Sequence, residues 1–317
     1  MSYLSSPHFH DEDAAYKFVE NRVWADGRVC PHCGVVDKSG PLKGKSTRIG
    51  VYKCYACRKP FTVKVGTIFE DSKVKMHLWL QAIFLLASSK KGISTNQLHR
   101  TLGVTLKTAW FMSHRIREAM RTGALGPMGG GGGVVEADET YFGKVEDQLS
   151  ERTSGEKFKG SKKGRGPANK RAILSLVERG GQVRSFHVPR ADKVTVTRIV
   201  RDNIDRESRL HTDGSRLYTG SDAHFLTHET VDHARGEYAR GDVHNNTAEG
   251  YFSVFKRGMR GTYQHCAEKH LHRYLAEFDF RFNNRSKLGI DDVARADAVL
   301  AGITGKRLTY ETTRARA

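Results

Sequence analysis

Val134-Val135-Glu136-Ala137-Asp138-Glu139-Thr140-Tyr141 is the stretch on which the reading of this chain turns. Its apolar opening runs directly into an acid, the pattern of a buried strand that delivers a carboxylate at its end. Outward from it, two further strand candidates lie at 171–177 and 183–188. A helical stretch follows from Asp192 to Arg206, then a strand at 209–213 that ends Leu210-His211-Thr212-Asp213, then a helix carrying Glu249. Three strands, a helix, a strand and a helix predict an α/β domain.

Asp138, Asp213 and Glu249 thus come from two strand ends and a helix, with 35 residues between the last two acids. Carboxylates gathered in this way repel one another unless a cation neutralises them. Hard divalent ions do so while keeping positions open for phosphate and water. The spacing points to a two-metal nuclease or strand-transfer site. Each acid also has an ordinary reading: Asp213-Gly214 as a turn pair, Glu249 as a helix-cap partner of Asn246, Asp138-Glu139 as a strand end. Lys256 follows Glu249 by seven residues, two helical turns, and so shares its face. It reads as a phosphate-holding cation or as a solvated helix lysine. His244 and Asn245 either touch substrate or shape the start of that helix.

Among the 317 residues, 53 Lys plus Arg against 35 Asp plus Glu leave a net charge of +18. Such an excess favours a polyanion, since each neutralised phosphate releases counterions; solubility alone is the simpler alternative. No apolar run reaches the length of a membrane span, and Asp11-Glu12-Asp13 is unlike a signal peptide. The expectation is a cytoplasmic, nucleoid-associated protein with no membrane partner.

Cys30-x2-Cys33 and Cys54-x2-Cys57 are separated by 20 residues, the pattern of two knuckles closing one tetrahedral zinc site. Redox dithiols are the lesser reading, and Cys266 reads as an ordinary thiol. Short strands near Val51–Lys53 and Phe61–Val63 make residues 1–70 a zinc ribbon preceded by a helix over 11–25. Residues 71–122 hold an apolar helix from Lys75 to Ser88, a second helix from Ser94, a turn at Leu102-Gly103-Val104 and a third helix from Thr105 to Met120. That is a helix-turn-helix pattern, with Lys107, Thr108 and Arg115 as candidate DNA contacts; a helical hairpin in a core is the alternative. Gly129 to Gly133 predict a flexible linker over 123–133. Residues 134–290 form the expected catalytic domain and 291–317 a C-terminal helix and tail. Within it, Glu151 to Arg171 is a lysine-rich, apolar-poor loop, either touching phosphates or solvated.

These motifs together resemble the insertion-sequence DDE transposases with an N-terminal zinc ribbon, the ISXO-like group. The resemblance rests on the four ribbon cysteines, on Val135-Glu136-Ala137-Asp138-Glu139-Thr140-Tyr141, on Thr212-Asp213-Gly214 and on Glu249-Gly250-Tyr251-Phe252-Ser253-Val254-Phe255-Lys256-Arg257-Gly258. It extends to Lys269-His270-Leu271-His272-Arg273-Tyr274-Leu275, with Glu277-Phe278 and Phe280-Arg281-Phe282-Asn283. It implies an RNase H-like catalytic domain, one structural Zn2+, and two Mg2+ (or Mn2+) ions on Asp138, Asp213 and Glu249. It also implies cleavage at transposon ends with joining to target DNA, and a homodimer or higher oligomer on double-stranded DNA. Two rivals stand beside it: a DNA-binding regulator without catalysis, and a structure-specific RNase H-like nuclease.

Overall fold

The computed structural model describes residues 2–121, 123, 126–145, 149–151, 157–159 and 170–309. Two compact units divide the chain, one made of residues 1–122 and 284–317, the other of 123–283.

In the first unit, Asp11 caps helix α1 (Glu12–Val23) by accepting from the Ala14 N–H at 2.7 Å. Strands β1 (Ser39–Pro41), β2 (Tyr52–Cys54) and β3 (Pro60–Phe61) form a small antiparallel sheet. Its core is only Cys30, Cys54 and Phe61, with Trp24, Tyr52 and Cys57 against them. So small an apolar cluster leaves much of the folding free energy to the metal. Helices α2 (Met76–Ser88), α3 (Thr95–Leu102) and α4 (Leu106–Met120) follow. Ser94 and Thr105 cap α3 and α4, and Gly103 makes the turn between them at φ +64°, where a side chain is disfavoured. The C-terminal helix α8 (Asp292–Ala301) packs against α1, α2 and α4, and Arg22 pairs with Asp297 at 2.7 Å. The C-terminal helix, expected as part of a separate element, therefore shares the N-terminal unit's core. Apolar residues of α8, Ala296, Val299 and Leu300, are buried there.

The second unit is built on one five-stranded sheet, in the order β10-β9-β4-β7-β8. Its strands are β4 (Val134–Lys144), β7 (Lys170–Glu178), β8 (Val183–Val188), β9 (Arg209–Asp213) and β10 (Thr227–Val231). β4, β7 and β8 pair antiparallel, while β9 lies parallel to both β4 and β10. This is the RNase H-like arrangement. Alternation along β4 divides its side chains between two layers. Val135 and Ala137 pack with Val196 and Val200 of α5 (Lys193–Asn203). On the other face, Ala248, Tyr251, Phe252 and Phe255 form an i, i+3, i+4, i+7 stripe on α6 (Asn246–Gly258). Leu271, Tyr274, Leu275 and Phe278 repeat that stripe on α7 (Leu271–Asn283), and both helices pack against Ile173, Val177 and Val183. β10 is an addition to the strands expected from the sequence. It is a half-exposed edge strand whose pattern carries little alternation.

Two expectations change. The five glycines form an ordered turn in the second unit instead of a flexible linker. Met128 bridges to Ile204, and the N–H groups of Gly129 and Gly130 bond Glu178 Oε1 (3.1 Å) and Ser208 Oγ (2.9 Å). Gly129, Gly130, Gly131 and Gly132 all have φ between +54° and +84°, so the run supplies a left-handed path that other residues resist. The basic stretch Glu151–Arg171 falls largely outside the described residues. What is described is a two-stranded ladder of β5 (Leu149–Glu151) with β6 (Lys157–Lys159), and Lys170–Arg171 opening β7.

Candidate active site and zinc centre

Parallel pairing of β4 with β9 puts Ala137 opposite Thr212, and the next residue on each strand is an acid, Asp138 and Asp213. Burial pushes the Asp138 carboxyl up to about 8, and the negative charges of Asp213, Glu139 and Glu249 push the same way. The excess of negative potential is the condition that a bound divalent cation relieves. Glu249 lies in the first turn of α6, about half exposed, with His233 Nδ1 3.7 Å from its Oε1. Lys256 is on the same helix two turns on. Burial and the neighbouring Arg260 lower its pKa, while Asp138 opposes them. The ammonium therefore sits within electrostatic reach of the acids.

Glu139 points to the opposite layer yet belongs to the same acidic group. Tyr218 and Ser215 donate to its two carboxyl oxygens at 2.7 and 3.2 Å, and Ser215 N–H also donates to Asp213 Oδ1 at 3.1 Å. The turn after β9 thus ties Asp213 to Glu139.

The start of α6 is held from the sheet. Glu136, fully buried, accepts from the N–H groups of Thr247 and Ala248, both at 2.9 Å, and from the Thr247 hydroxyl at 2.9 Å. Arg179 balances it, donating to Glu136 Oε1 at 2.7 Å, to the Asp242 carbonyl at 2.6 Å and to the His244 carbonyl at 2.9 Å. Asn245 is buried beside them; with its amide oriented so that each atom is paired, it accepts from Asp213 N–H at 2.9 Å. His244 and Asn245 thus shape the start of the helix. Glu136, Arg179 and Glu139 carry no local signature, because the contacts that define them span long stretches of chain.

In the N-terminal unit the sulfurs of Cys30, Cys33, Cys54 and Cys57 all lie within 4.8 Å of one another. Cys30 to Cys57 and Cys33 to Cys54 are both 3.7 Å. A tetrahedron with Zn–S bonds of about 2.3 Å has edges near 3.8 Å, so the donor set fits zinc. The Cys57 backbone N–H leads in lowering the Cys54 thiol to about 7, which favours the thiolate a metal needs.

The α4 contacts divide. Lys107 is exposed at the first turn. Thr108 is half-buried there, with its hydroxyl 2.8 Å from that of the capping Thr105. Arg115 is a correction to the expected set. Only 4% exposed, it donates to the carbonyls of Ile68 (2.6 Å), Glu70 (2.6 Å) and Leu308 (3.1 Å), and is a structural clamp with no face toward DNA. His114 and Arg117 are buried too, so the second half of α4 is core.

Two family models match the chain, the ISXO2-like transposase domain over residues 131–283 and the transposase zinc-ribbon domain over 10–60. A protein of Halobacterium salinarum, described as an uncharacterized protein in transposable element ISH50, is 30% identical over 282 residues, covering 86% of this chain and 91% of that one. The chain belongs to the ISXO2-like transposases. Among solved structures it is similar to the Mos1 mariner paired end complex with Mn, at 12% identity and TM-score 0.28, covering 69% of this chain and 73% of that one. The Mos1 Strand Transfer Complex is similar at 11% identity and TM-score 0.27, with the same coverage. This ISXO2-like transposase is a DNA transposase of the DDE class. Among its described residues no helix is long and apolar enough to cross a membrane.

Proposed function

We propose that this transposase cuts DNA at transposon ends and joins the freed 3′ hydroxyl to target DNA, using Asp138, Asp213 and Glu249 as the metal-holding acids. The observation that carries the reading is the parallel register of β4 and β9, which sets Asp138 beside Asp213, with the charge of Glu249 on α6 acting on Asp138 as well. Asp138, Asp213 and Glu249 would hold the divalent ions, which when bound would supply activation of the attacking oxygen and stabilisation of the leaving one. Lys256 holds the phosphate beside the acids. Glu139, kept in place by Tyr218 and Ser215, steadies the turn that carries Asp213. Lys107 and Thr108, at the exposed start of α4, contact the end DNA. Joining two ends implies at least two active sites, and so a homodimer or larger assembly on DNA.

The test is incubation of the zinc-loaded chain with Mg2+ or Mn2+, DNA bearing both element ends and a supercoiled target. The expected result is nicking at the ends followed by joined products. Nicking without joining would favour the nuclease, and metal-independent binding with neither reaction would favour the regulator.

A further inference from the structure

Glu136 and Asp138 are two residues apart on β4 and therefore share one face of the sheet. Asp138 is the β4 acid of the site; Glu136 takes the Thr247 and Ala248 amides in the first turn of α6, the helix that carries Glu249. A helix N-terminus needs acceptors for its unpaired N–H groups, and Asn245, at the cap position, makes no side-chain cap bond of its own. The acceptor comes from the sheet instead. One strand thus supplies both a carboxylate of the site and the anchor for the helix bearing another. Arg179 fixes the anchor in turn, since its three bonds to Glu136, Asp242 and His244 span the carboxylate and the segment leading into α6.

We propose that Glu136, clamped by Arg179, is a positioning residue that fixes the first turn of α6, and with it Glu249, for metal binding beside Asp138. This rests on the reading that Asp138 and Glu249 are metal ligands. Glu136 itself faces the α6 amides, so its effect on a metal passes through Glu249.

The test uses the zinc-loaded full chain and Mn2+ as probe, with bound Mn2+ measured by electron paramagnetic resonance alongside end-DNA binding and thermal melting. Glu136→Gln is expected to raise the half-saturating Mn2+ concentration about 10- to 100-fold, the range for residues that orient ligands, with end-DNA affinity unchanged. Arg179→Lys keeps the charge but loses the fork, and is expected to shift the midpoint in the same direction by less. Arg179→Lys also serves as the readout should Glu136→Gln fold poorly. Val196→Ala, in the core on the other face of the sheet, is expected to lower the melting temperature and leave the Mn2+ midpoint where it is. A folded Glu136→Gln, or a folded Arg179→Lys, with the wild-type midpoint would overturn the proposal. Asp138→Asn separates the two levels. Loss of Mn2+ binding there with no shift in Glu136→Gln sinks the positioning role alone, whereas unchanged Mn2+ binding in Asp138→Asn sinks the metal reading beneath it.

Discussion

Asp138 and Asp213 each follow the Ala137–Thr212 pair of the parallel strands β4 and β9, so the sheet itself brings two carboxylates side by side, although β9 ends at Asp213 and β4 runs on past Asp138 to Lys144. Burial raises the Asp138 carboxyl to about 8, and the neighbouring charge of Asp213 pushes the same way.

Arg115 and Lys107 should separate stability from recognition. Each carbonyl that loses a buried donor costs about 1–3 kcal/mol. Arg115→Ala is therefore expected to destabilise the N-terminal unit by several such increments in a urea titration. Lys107→Ala should leave stability within about 0.5 kcal/mol, as surface changes do, and weaken end-DNA binding with a shallower salt dependence. Equal stability loss in both, or DNA binding untouched by Lys107→Ala, would contradict this division of α4.

One zinc per chain is expected from metal analysis, held by Cys30, Cys33, Cys54 and Cys57. Cys54→Ser, or a strong chelator, should expose residues 25–65 to protease while the second unit keeps its protection. A ribbon equally resistant with and without zinc would mean that the small Phe61, Trp24 and Tyr52 cluster suffices alone.

The glycine turn offers a graded pair. Gly129 has φ +78°, and an added Cβ would meet Ser208 Oγ at 2.2 Å; Gly131 has φ +54° and open space around it. Gly131→Ala should cost about 1–2 kcal/mol, the left-handed penalty alone, and Gly129→Ala distinctly more. A flexible linker would make both changes neutral in thermal melting.

Much of this architecture was legible in the chain before its coordinates. The strand end at Asp213, the helix bearing Glu249 and the paired cysteines announce themselves through short-range pattern, whereas the strand expected to end at Asp138 runs on to Lys144, paired with β7. What was not legible depends on partners far away in sequence. Glu136 reads as one more polar residue in a strand until Thr247 and Ala248 fold onto it. Arg115 reads as a basic helix residue until the Ile68, Glu70 and Leu308 carbonyls enclose it. Gly129–Gly133 reads as flexible from composition, yet Glu178 and Ser208 hold it. β10 escaped because an edge strand with half-exposed residues carries little periodicity.

Asp279 gives a pH expectation. Burial raises its carboxyl to about 6, from an ordinary value near 4, against the opposing hydrogen bonds that Tyr251 and Ser185 donate to it. Between those values the folded chain keeps a proton that the unfolded chain has lost. This group's contribution to stability is therefore present in full below pH 4, falls as pH rises to about 6, and is constant above. Asp279→Asn cannot ionise and lacks that decline. The melting temperature of the variant minus that of the wild type should rise between pH 4 and 6, by the equivalent of at most roughly 3 kcal/mol. A difference flat across pH 4–7 would show that Asp279 ionises as an ordinary carboxyl.

Charge removal at Asp138 bears most directly on the central claim. Wild type and Asp138→Asn are compared side by side in Mg2+ on labelled end DNA, with strand cleavage and band shift read from the same samples. An amide keeps the side chain's shape and removes the charge that holds a metal. The account predicts cleavage by the wild type, none by Asp138→Asn, and end binding near equal in the two. Cleavage retained by Asp138→Asn would contradict it, since this β4 acid would then have no part in the reaction.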